Sequence, residues 1–191
     1  SASMHSGPSR LGSPSTPLWS GKGLTAFGRA FVERLDSMKV FVDLAHVDRK
    51  GFWDALDVHD RRRPLLVSHA AVDGVYPQFR NLDDRQIRAV ADSGGVVGII
   101  YHALFLEGAW LGTTLAKLVE HVMHLIRVGG EDVAALGSDW DGLICPPRDM
   151  PTCLELPRLV HALLARGLSS RTVEKLLGQN FLRALEMLRP T

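Results

Sequence analysis

Short apolar runs alternate along most of this chain with stretches in which apolar residues recur every three or four positions. The runs have the length and composition of buried strands, and the spaced stretches are typical of helices with one apolar face. No hairpin signal separates the runs, so we expect consecutive strands to be joined by helical crossovers and to lie parallel. The pattern predicts an α/β protein with strands at 40–46, 64–70, 95–102 and 133–140, helices at 25–38, 51–58, 83–93 and 113–128, and two or three further helices within 154–188.

Composition favours one folded domain preceded by a flexible segment. The 191 residues are 46% hydrophobic and 23% charged, which is typical of a globular domain with a single core. Residues 1–23 are rich in Ser, Pro and Gly, and they hold too few large apolar side chains to offset the entropy of ordering. We therefore expect a flexible lead-in over 1–23 and a folded domain over 24–191.

The charge balance and the lack of a long apolar run narrow the possible partners. The 22 basic and 21 acidic residues give a formal charge of +1, which supplies no field to attract nucleic acid or an anionic membrane. No run approaches the roughly 20 apolar residues of a membrane span, and no secretory signal is visible. Cys145 and Cys153 are too few for a disulfide framework. These features predict a cytoplasmic protein that acts on a small molecule.

Three of the predicted strands are followed by side chains that bind metals or transfer protons. His46 ends the first strand, His69 ends the second, and Asp139 ends the fourth. Because the carboxyl ends of parallel strands meet at one edge, and neighbouring strands lie about 4.8 Å apart, the two imidazoles can share a metal ion. The combination predicts a metallohydrolase.

Each of these residues also has a simpler interpretation. His46 at a strand end is equally compatible with a structural histidine beneath a loop. Asp139 could cap a turn, although Asp141-Gly142 is the better turn former. His121 and His124 lie three apart on a predicted helix, and packing or solvation explains them better than metal binding.

Several motifs occur in an order that resembles one known family. They are Val42-Asp43-Leu44-Ala45-His46-Val47, Ser68-His69, Arg80-Asn81-Leu82-Asp83-Asp84, Gly94-Gly95-Val96, Gly137-Ser138-Asp139-Trp140-Asp141-Gly142 and the closing Asn180-Phe181-Leu182-Arg183. In this order they resemble the membrane (renal) dipeptidase family of zinc peptidases, family M19. The likeness covers residues 23–188 and corresponds to the C-terminal half of that family.

The resemblance implies a fold, a reaction and a set of site residues. It implies strands five to eight of a TIM-type (β/α)8 barrel, in a family that hydrolyses dipeptides with hydroxide held between two zinc ions. His46 and His69 fall on the two histidine ligands of one zinc. Arg80 falls on the arginine that holds the C-terminal carboxylate of the substrate, and Asp139 on the catalytic acid/base. From the residues alone, Arg80 is only a loop arginine.

Two features of the family cannot be placed in this sequence. The family carries a His-x-Asp pair on its first strand and a glutamate from an early strand that bridges both metal ions. His46-Val47-Asp48 fits the His-x-Asp pattern, but Asp48 is better explained as the N-cap of the next helix. The likeness therefore indicates a truncated dipeptidase with at most one partial zinc site.

Two other functions stay open. The chain could be an inactive half-barrel remnant that serves as a structural or interaction domain. It could also be a small open-sheet α/β binder, although no Gly-rich phosphate loop follows the first strand. Because half a barrel leaves unpaired strand edges, we expect either a homodimer or a partner that supplies the missing half.

Overall fold

The computed structural model describes residues 9–109 and 112–190. Its helices and strands alternate over most of the chain, in the order α1 (Ala26–Ser37), α2 (Arg49–Val58), β1 (Leu66–Ala70), α3 (Asp84–Asp92), β2 (Val96–Ile99), α4 (Ala103–Glu107), α5 (Leu115–Gly129), β3 (Ala134–Leu136), α6 (Leu156–Ala165), α7 (Ser170–Glu174) and α8 (Asn180–Leu188). A 3₁₀ turn at Cys153–Glu155 precedes α6, and a π-helical turn at Lys175–Gln179 joins α7 to α8. The predicted α/β class is confirmed.

The sheet is small and parallel. Its strands lie in the order β1-β2-β3, with Val67 opposite Val97 and Val97 opposite Ala134. The predicted strand at 40–46 is wrong in extent, because only Asp43 forms a bridge, parallel to Leu66. The amide of Leu44 still donates to the carbonyl of Leu66, and the carbonyl of Val42 accepts from the amide of Leu66. This segment therefore lies along the outer edge of β1. The bend that follows brings His46 toward β1 instead of continuing the ladder.

Helix α8 lies across the N-terminal ends of the strands. Its Arg183 guanidinium donates to the carbonyls of Gly94 and Asp132, which precede β2 and β3. Arg189, just beyond the helix, donates to the carbonyl of Lys39. Val96 of β2, Ala135 of β3 and Ala184 of α8 form a small apolar cluster between the helix and the sheet. The opposite ends of the strands, which carry the candidate site residues, are therefore the ends that α8 does not cover.

The main core lies against α2, α3 and α5, on the face of the sheet opposite to the one that carries Val96 and Ala135. Fully buried apolar side chains from the sheet and these helices form it, including Phe52, Val67, Ile87, Val97, Ile99 and Leu118. The helices begin where the sequence provides caps. Asp48 caps α2 by accepting from the Gly51 amide, as predicted, and Asp83 forms a capping box with Gln86 at α3.

The N-terminal segment was expected to be flexible over 1–23, and residues 1–8 lie outside the described residues. Residues 9–23 contact the domain at several points. Gly12 bridges Leu24 and Pro14 bridges Val47, both antiparallel. The buried carboxylate of Asp48 accepts from the amides of Gly21 and Gly23 as well as from α2. This segment therefore lies directly against the loop that carries His46.

No helix in the described part of the chain combines the length and apolar character needed to cross a bilayer.

Candidate functional site

His46 and His69 lie side by side at the C-terminal ends of neighbouring parallel segments. Their Nε2 atoms are 2.8 Å apart, and the rings meet edge to face with centroids separated by 4.7 Å. The hydroxyl of Ser68 lies 2.9 Å from Nδ1 of His69. When Nδ1 carries the proton and donates to Ser68, Nε2 of His69 presents a lone pair, which is the state that binds a metal ion.

Arg80 is buried beside this pair, in the loop between β1 and α3. Only 5% of the residue is exposed, and its Nη2 donates to the carbonyl of His69 at 2.9 Å. Burial lowers the pKa of Arg80 to about 10, and the carboxylates of Asp43 and Asp139 partly oppose that effect. The guanidinium is therefore still a cation at neutral pH. Its Nε is buried without a hydrogen-bond partner within residues 9–109 and 112–190.

Asp139 begins a tight turn at the end of β3. Its φ of 70° is left-handed, and its carbonyl accepts from the amide of Gly142 at 2.9 Å. The carboxylate lies directly over Gly142, where any Cβ would collide with it. The glycine predicted at this turn thus has a second role, because it leaves room for the Asp139 side chain.

The loop that carries Asp139 is attached to the end of β2. The carbonyl of Ser138 accepts from the amide of Tyr101, and the carbonyl of Cys145 accepts from Ala103. Nδ1 of His102 accepts from the amide of Cys145 at 3.1 Å, so the neutral ring carries its proton on Nε2. Desolvation lowers the pKa of His102, while the negative charge of Asp139 opposes that shift.

Asp43 is a site residue that the sequence reasoning did not single out. Its carboxylate accepts from the amides of Ala45 and Ser68 at 3.1 and 3.0 Å, so it joins the loop of His46 to the strand that carries His69. It also faces Arg80 electrostatically. Its position three residues before His46 was the available signal, since an acidic residue inside an apolar run needs a buried partner.

The predicted residues therefore converge at one edge of the sheet. His46, His69 and Arg80 are connected through direct contacts, and the charge of Asp139 acts on Arg80. Across the described ranges, no group of three His, Cys, Asp or Glu side chains is arranged to hold a metal ion. The two imidazole nitrogens suit zinc chemically, but they supply only two of the four ligands of a tetrahedral site.

The chain matches one protein family over almost its whole length. Residues 9–189 match the family described as membrane dipeptidase, peptidase family M19. The chain belongs to the membrane dipeptidase family. The ordered motifs had predicted this membership, and the match extends it over residues 9–23, which contact the domain.

Two relatives and two solved structures illustrate the likeness. A protein of Klebsiella pneumoniae encoded in the pqqA 5′ region is 39% identical over 92% of this chain, and the dipeptidase tcpJ of Claviceps purpurea is 32% identical over 85%. A metallopeptidase from Rhodobacter sphaeroides, bound to a phosphinate mimic of the dipeptide L-Ala-D-Ala, is 34% identical over 93% of this chain with a TM-score of 0.83. Dipeptidase AC, a family M19 metallopeptidase, is 33% identical over 95% with a TM-score of 0.84.

These likenesses cover only part of the relatives. The chain spans 63% of the Klebsiella protein and 38% of the Claviceps dipeptidase. It spans 50% of the Rhodobacter structure and 52% of dipeptidase AC.

The remaining helical histidines have structural partners. His121 is fully buried, with Nδ1 accepting from the amide of Val72 and Nε2 donating to the carbonyl of Leu106. His124 contacts the carboxylate of Asp84 at 2.7 Å. The carboxylate next to His124 comes from a different helix, so the spacing of the two histidines along α5 could not indicate it.

Proposed function

We propose that this chain is the part of a zinc-dependent dipeptidase that carries one histidine pair, the carboxylate-binding arginine and the catalytic acid/base. The observation that supports this most strongly is the contact of His46 Nε2 with His69 Nε2 at 2.8 Å beside the buried guanidinium of Arg80. Two convergent imidazoles next to a buried cation would provide a metal-ligand pair together with an anion subsite.

His46 and His69 would hold the zinc ion, and Ser68 would orient the ring of His69 through Nδ1. A zinc ion supplies Lewis acidity that polarises a peptide carbonyl and lowers the pKa of a water molecule. The two histidines account for part of one site, so the remaining ligands come from residues beyond this set.

Arg80 and Asp139 would handle the substrate. The buried Nε of Arg80 has no hydrogen-bond partner within the described residues, and a two-pronged bond from this guanidinium to the terminal carboxylate of a dipeptide would favour dipeptides over longer chains. The carboxylate of Asp139 would accept the proton of the attacking water and return it to the leaving amine nitrogen.

We further propose that segment 42–44 and strands β1, β2 and β3 correspond to strands five to eight of a TIM-type barrel. The parallel order and the helices on one face of the sheet support this, as does the coverage of 50–52% of the two M19 structures. A cavity of about 470 Å³ lies between the other face of the sheet and the 176–181 segment, so the described residues do not fill the space against this face.

A second candidate function is an inactive half-barrel that serves as a structural or interaction domain. It is favoured by the finding that the described ranges hold no three-ligand metal group. In that case His46 and His69 would be a hydrogen-bonded pair that stabilises the edge of the sheet and binds zinc weakly or not at all.

Metal content and dipeptide hydrolysis separate the two functions. Purified protein would be analysed for zinc by elemental analysis and for release of free amino acids from L-Ala-D-Ala. Bound zinc and turnover that both disappear in His46→Ala and His69→Ala, but persist in the matched variant His161→Ala on the exposed side of α6, would support the dipeptidase. A well-folded protein with neither zinc nor turnover would support the interaction domain instead.

A further inference from the structure

Ser15 connects two loops that come from different strands. Its amide donates to the carbonyl of His46 at 2.8 Å, and its hydroxyl donates to the carbonyl of Phe79 at 2.6 Å. The residue is only 8% exposed, so water competes little for either contact. One buried residue of the N-terminal segment thus bonds to the main chain at the histidine loop and at the arginine loop.

These contacts close a ring around the candidate site. The carbonyl of Phe79 belongs to the peptide bond that leads into Arg80, and Arg80 donates to the carbonyl of His69. His69 contacts His46 through Nε2, and His46 accepts from Ser15. Every neighbour in this ring is joined by a hydrogen bond or a peptide bond, so the position of Ser15 limits how far Arg80 can move from the imidazole pair.

Ser15 is itself held in place from both sides. Pro14 bridges Val47 in an antiparallel manner, and the amide of Asp48 donates to the carbonyl of Ser13. The amide of Ser13 donates in turn to the carbonyl of Gly23. The segment is therefore ordered independently of the Ser15 hydroxyl, which leaves that hydroxyl free to act as a positional constraint on the Arg80 loop.

We propose that Ser15 is a positioning residue that sets the distance between the metal-ligand pair and the carboxylate-binding Arg80. This inference rests on the proposed function. The amide of Ser15 positions His46, and the hydroxyl positions Arg80 through Phe79. Removal of the hydroxyl alone should loosen the arginine subsite and leave the histidine pair in place.

The test compares Ser15→Ala with Ser13→Ala, a buried serine two residues away whose contacts here are made by its backbone. Each protein is titrated with Co²⁺ alone and then with the phosphinate mimic of L-Ala-D-Ala. In Ser15→Ala we expect Co²⁺ affinity within about twofold of the unchanged protein and affinity for the mimic lower by about tenfold, the size of one lost hydrogen bond. Ser15→Thr, which keeps a hydroxyl, should restore affinity for the mimic, and Ser13→Ala should change neither.

The decisive result is a lower affinity for the mimic without a lower affinity for Co²⁺. A general loss of structure would lower Co²⁺ and mimic affinity together in Ser15→Ala, and that outcome would overturn the proposal, as would unchanged affinity for the mimic. If Ser15→Ala does not fold, Ser15→Cys replaces it, since its thiol is a weaker donor of similar size. Affinity for the mimic that stays unchanged in Ser15→Cys would also overturn the proposal.

A measurement without any ligand separates this inference from the proposed function. If the unchanged protein binds neither Co²⁺ nor the mimic, the proposed function fails, and NMR of the metal-free protein still tests Ser15. We expect the Arg80 Nε–H to exchange with solvent about tenfold faster in Ser15→Ala than in Ser13→Ala, because the arginine loop opens more often. Equal exchange rates in the two variants would overturn the positional role.

Discussion

The guanidinium of Arg80 donates to the main-chain carbonyl of His69, 2.9 Å away, although sequence patterns alone indicate only a loop arginine. The contact joins the arginine to the same residue whose ring lies against His46. The position of Arg80 is therefore coupled to the imidazole pair through the backbone. A change at the arginine should alter substrate affinity before it alters metal affinity.

The first prediction concerns Arg80→Lys. A lysine keeps the positive charge but loses the planar fork, so it cannot contact His69 and a carboxylate in the same way. We expect affinity for the phosphinate mimic of L-Ala-D-Ala to fall by about tenfold or more, because charge alone does not replace a two-pronged contact. Isothermal titration of the metal-loaded protein with the mimic measures this change. Affinity for Co²⁺ should stay within about twofold of that of the unchanged protein, because the two histidine ligands keep their geometry.

Arg88→Lys is the matched control for Arg80→Lys. Arg88 lies on α3 with 55% of its side chain exposed, and its nearest carboxylate is Asp84 at 3.7 Å. This variant should bind Co²⁺ and the mimic as the unchanged protein does. If Arg80→Lys did the same, Arg80 would not be the carboxylate-binding residue.

The second prediction concerns Gly142→Ala. A Cβ at this position collides with the carboxylate of Asp139, which must then move away. Because the negative charge of Asp139 raises the pKa of His102 against the effect of desolvation, its displacement should lower the pKa of His102 further. NMR titration of the His102 ring measures this shift, and Asp139→Asn should lower the same pKa.

Gly178→Ala is the control, since a Cβ there meets open space. It should leave the pKa of His102 unchanged. The Asp139 side chain can rotate away from the new methyl group, so we expect Gly142→Ala to change the free energy of unfolding by less than about 1 kcal/mol. A His102 pKa that does not respond to Asp139→Asn would contradict the proximity of these two side chains.

The third prediction concerns stability in acid. Burial lowers the pKa of His121 from the ordinary 6.5 to about 4. Above pH 6.5 the residue is neutral in both the folded and the unfolded chain and contributes no pH dependence. As the pH falls from 6.5 toward 4, His121 binds a proton in the unfolded chain but not in the folded protein, so the free energy of unfolding decreases. We expect this residue alone to lower the free energy of unfolding by about 2 kcal/mol between pH 7.5 and pH 5.

Urea denaturation at pH 7.5 and pH 5 measures that loss. The variant His121→Gln cannot titrate, and its side-chain amide can still donate to Leu106, so its stability should fall about 2 kcal/mol less over the same range. His161→Gln, at an exposed position on α6, should follow the unchanged protein. Identical pH dependence in the unchanged protein and His121→Gln would exclude a buried neutral His121.

The sequence pattern located most of the elements because the signals are local. Apolar spacing placed α1, α3 and α5 to within about two residues at each end, and Asp48 and Asp83 mark where α2 and α3 begin. The strand at 40–46 was overestimated, since an apolar run does not reveal where a chain bends away from its neighbour. The flexibility of 1–23 stays a prediction drawn from composition, and composition does not reveal the hydrogen bonds that residues 9–23 make with distant loops.

By itself, the sequence determined the alternation of strands and helices, the choice of His46, His69 and Asp139 as candidate site residues near the ends of apolar runs, and the family. Each of these depends on spacing or on motifs within a few residues. Only the tertiary structure decided the 2.8 Å approach of the two rings, the burial of Arg80 and the contact of Ser15 with Phe79 across 64 positions. These relationships are contacts between residues far apart in the chain, and they exist only after the sheet and its loops have packed and excluded water.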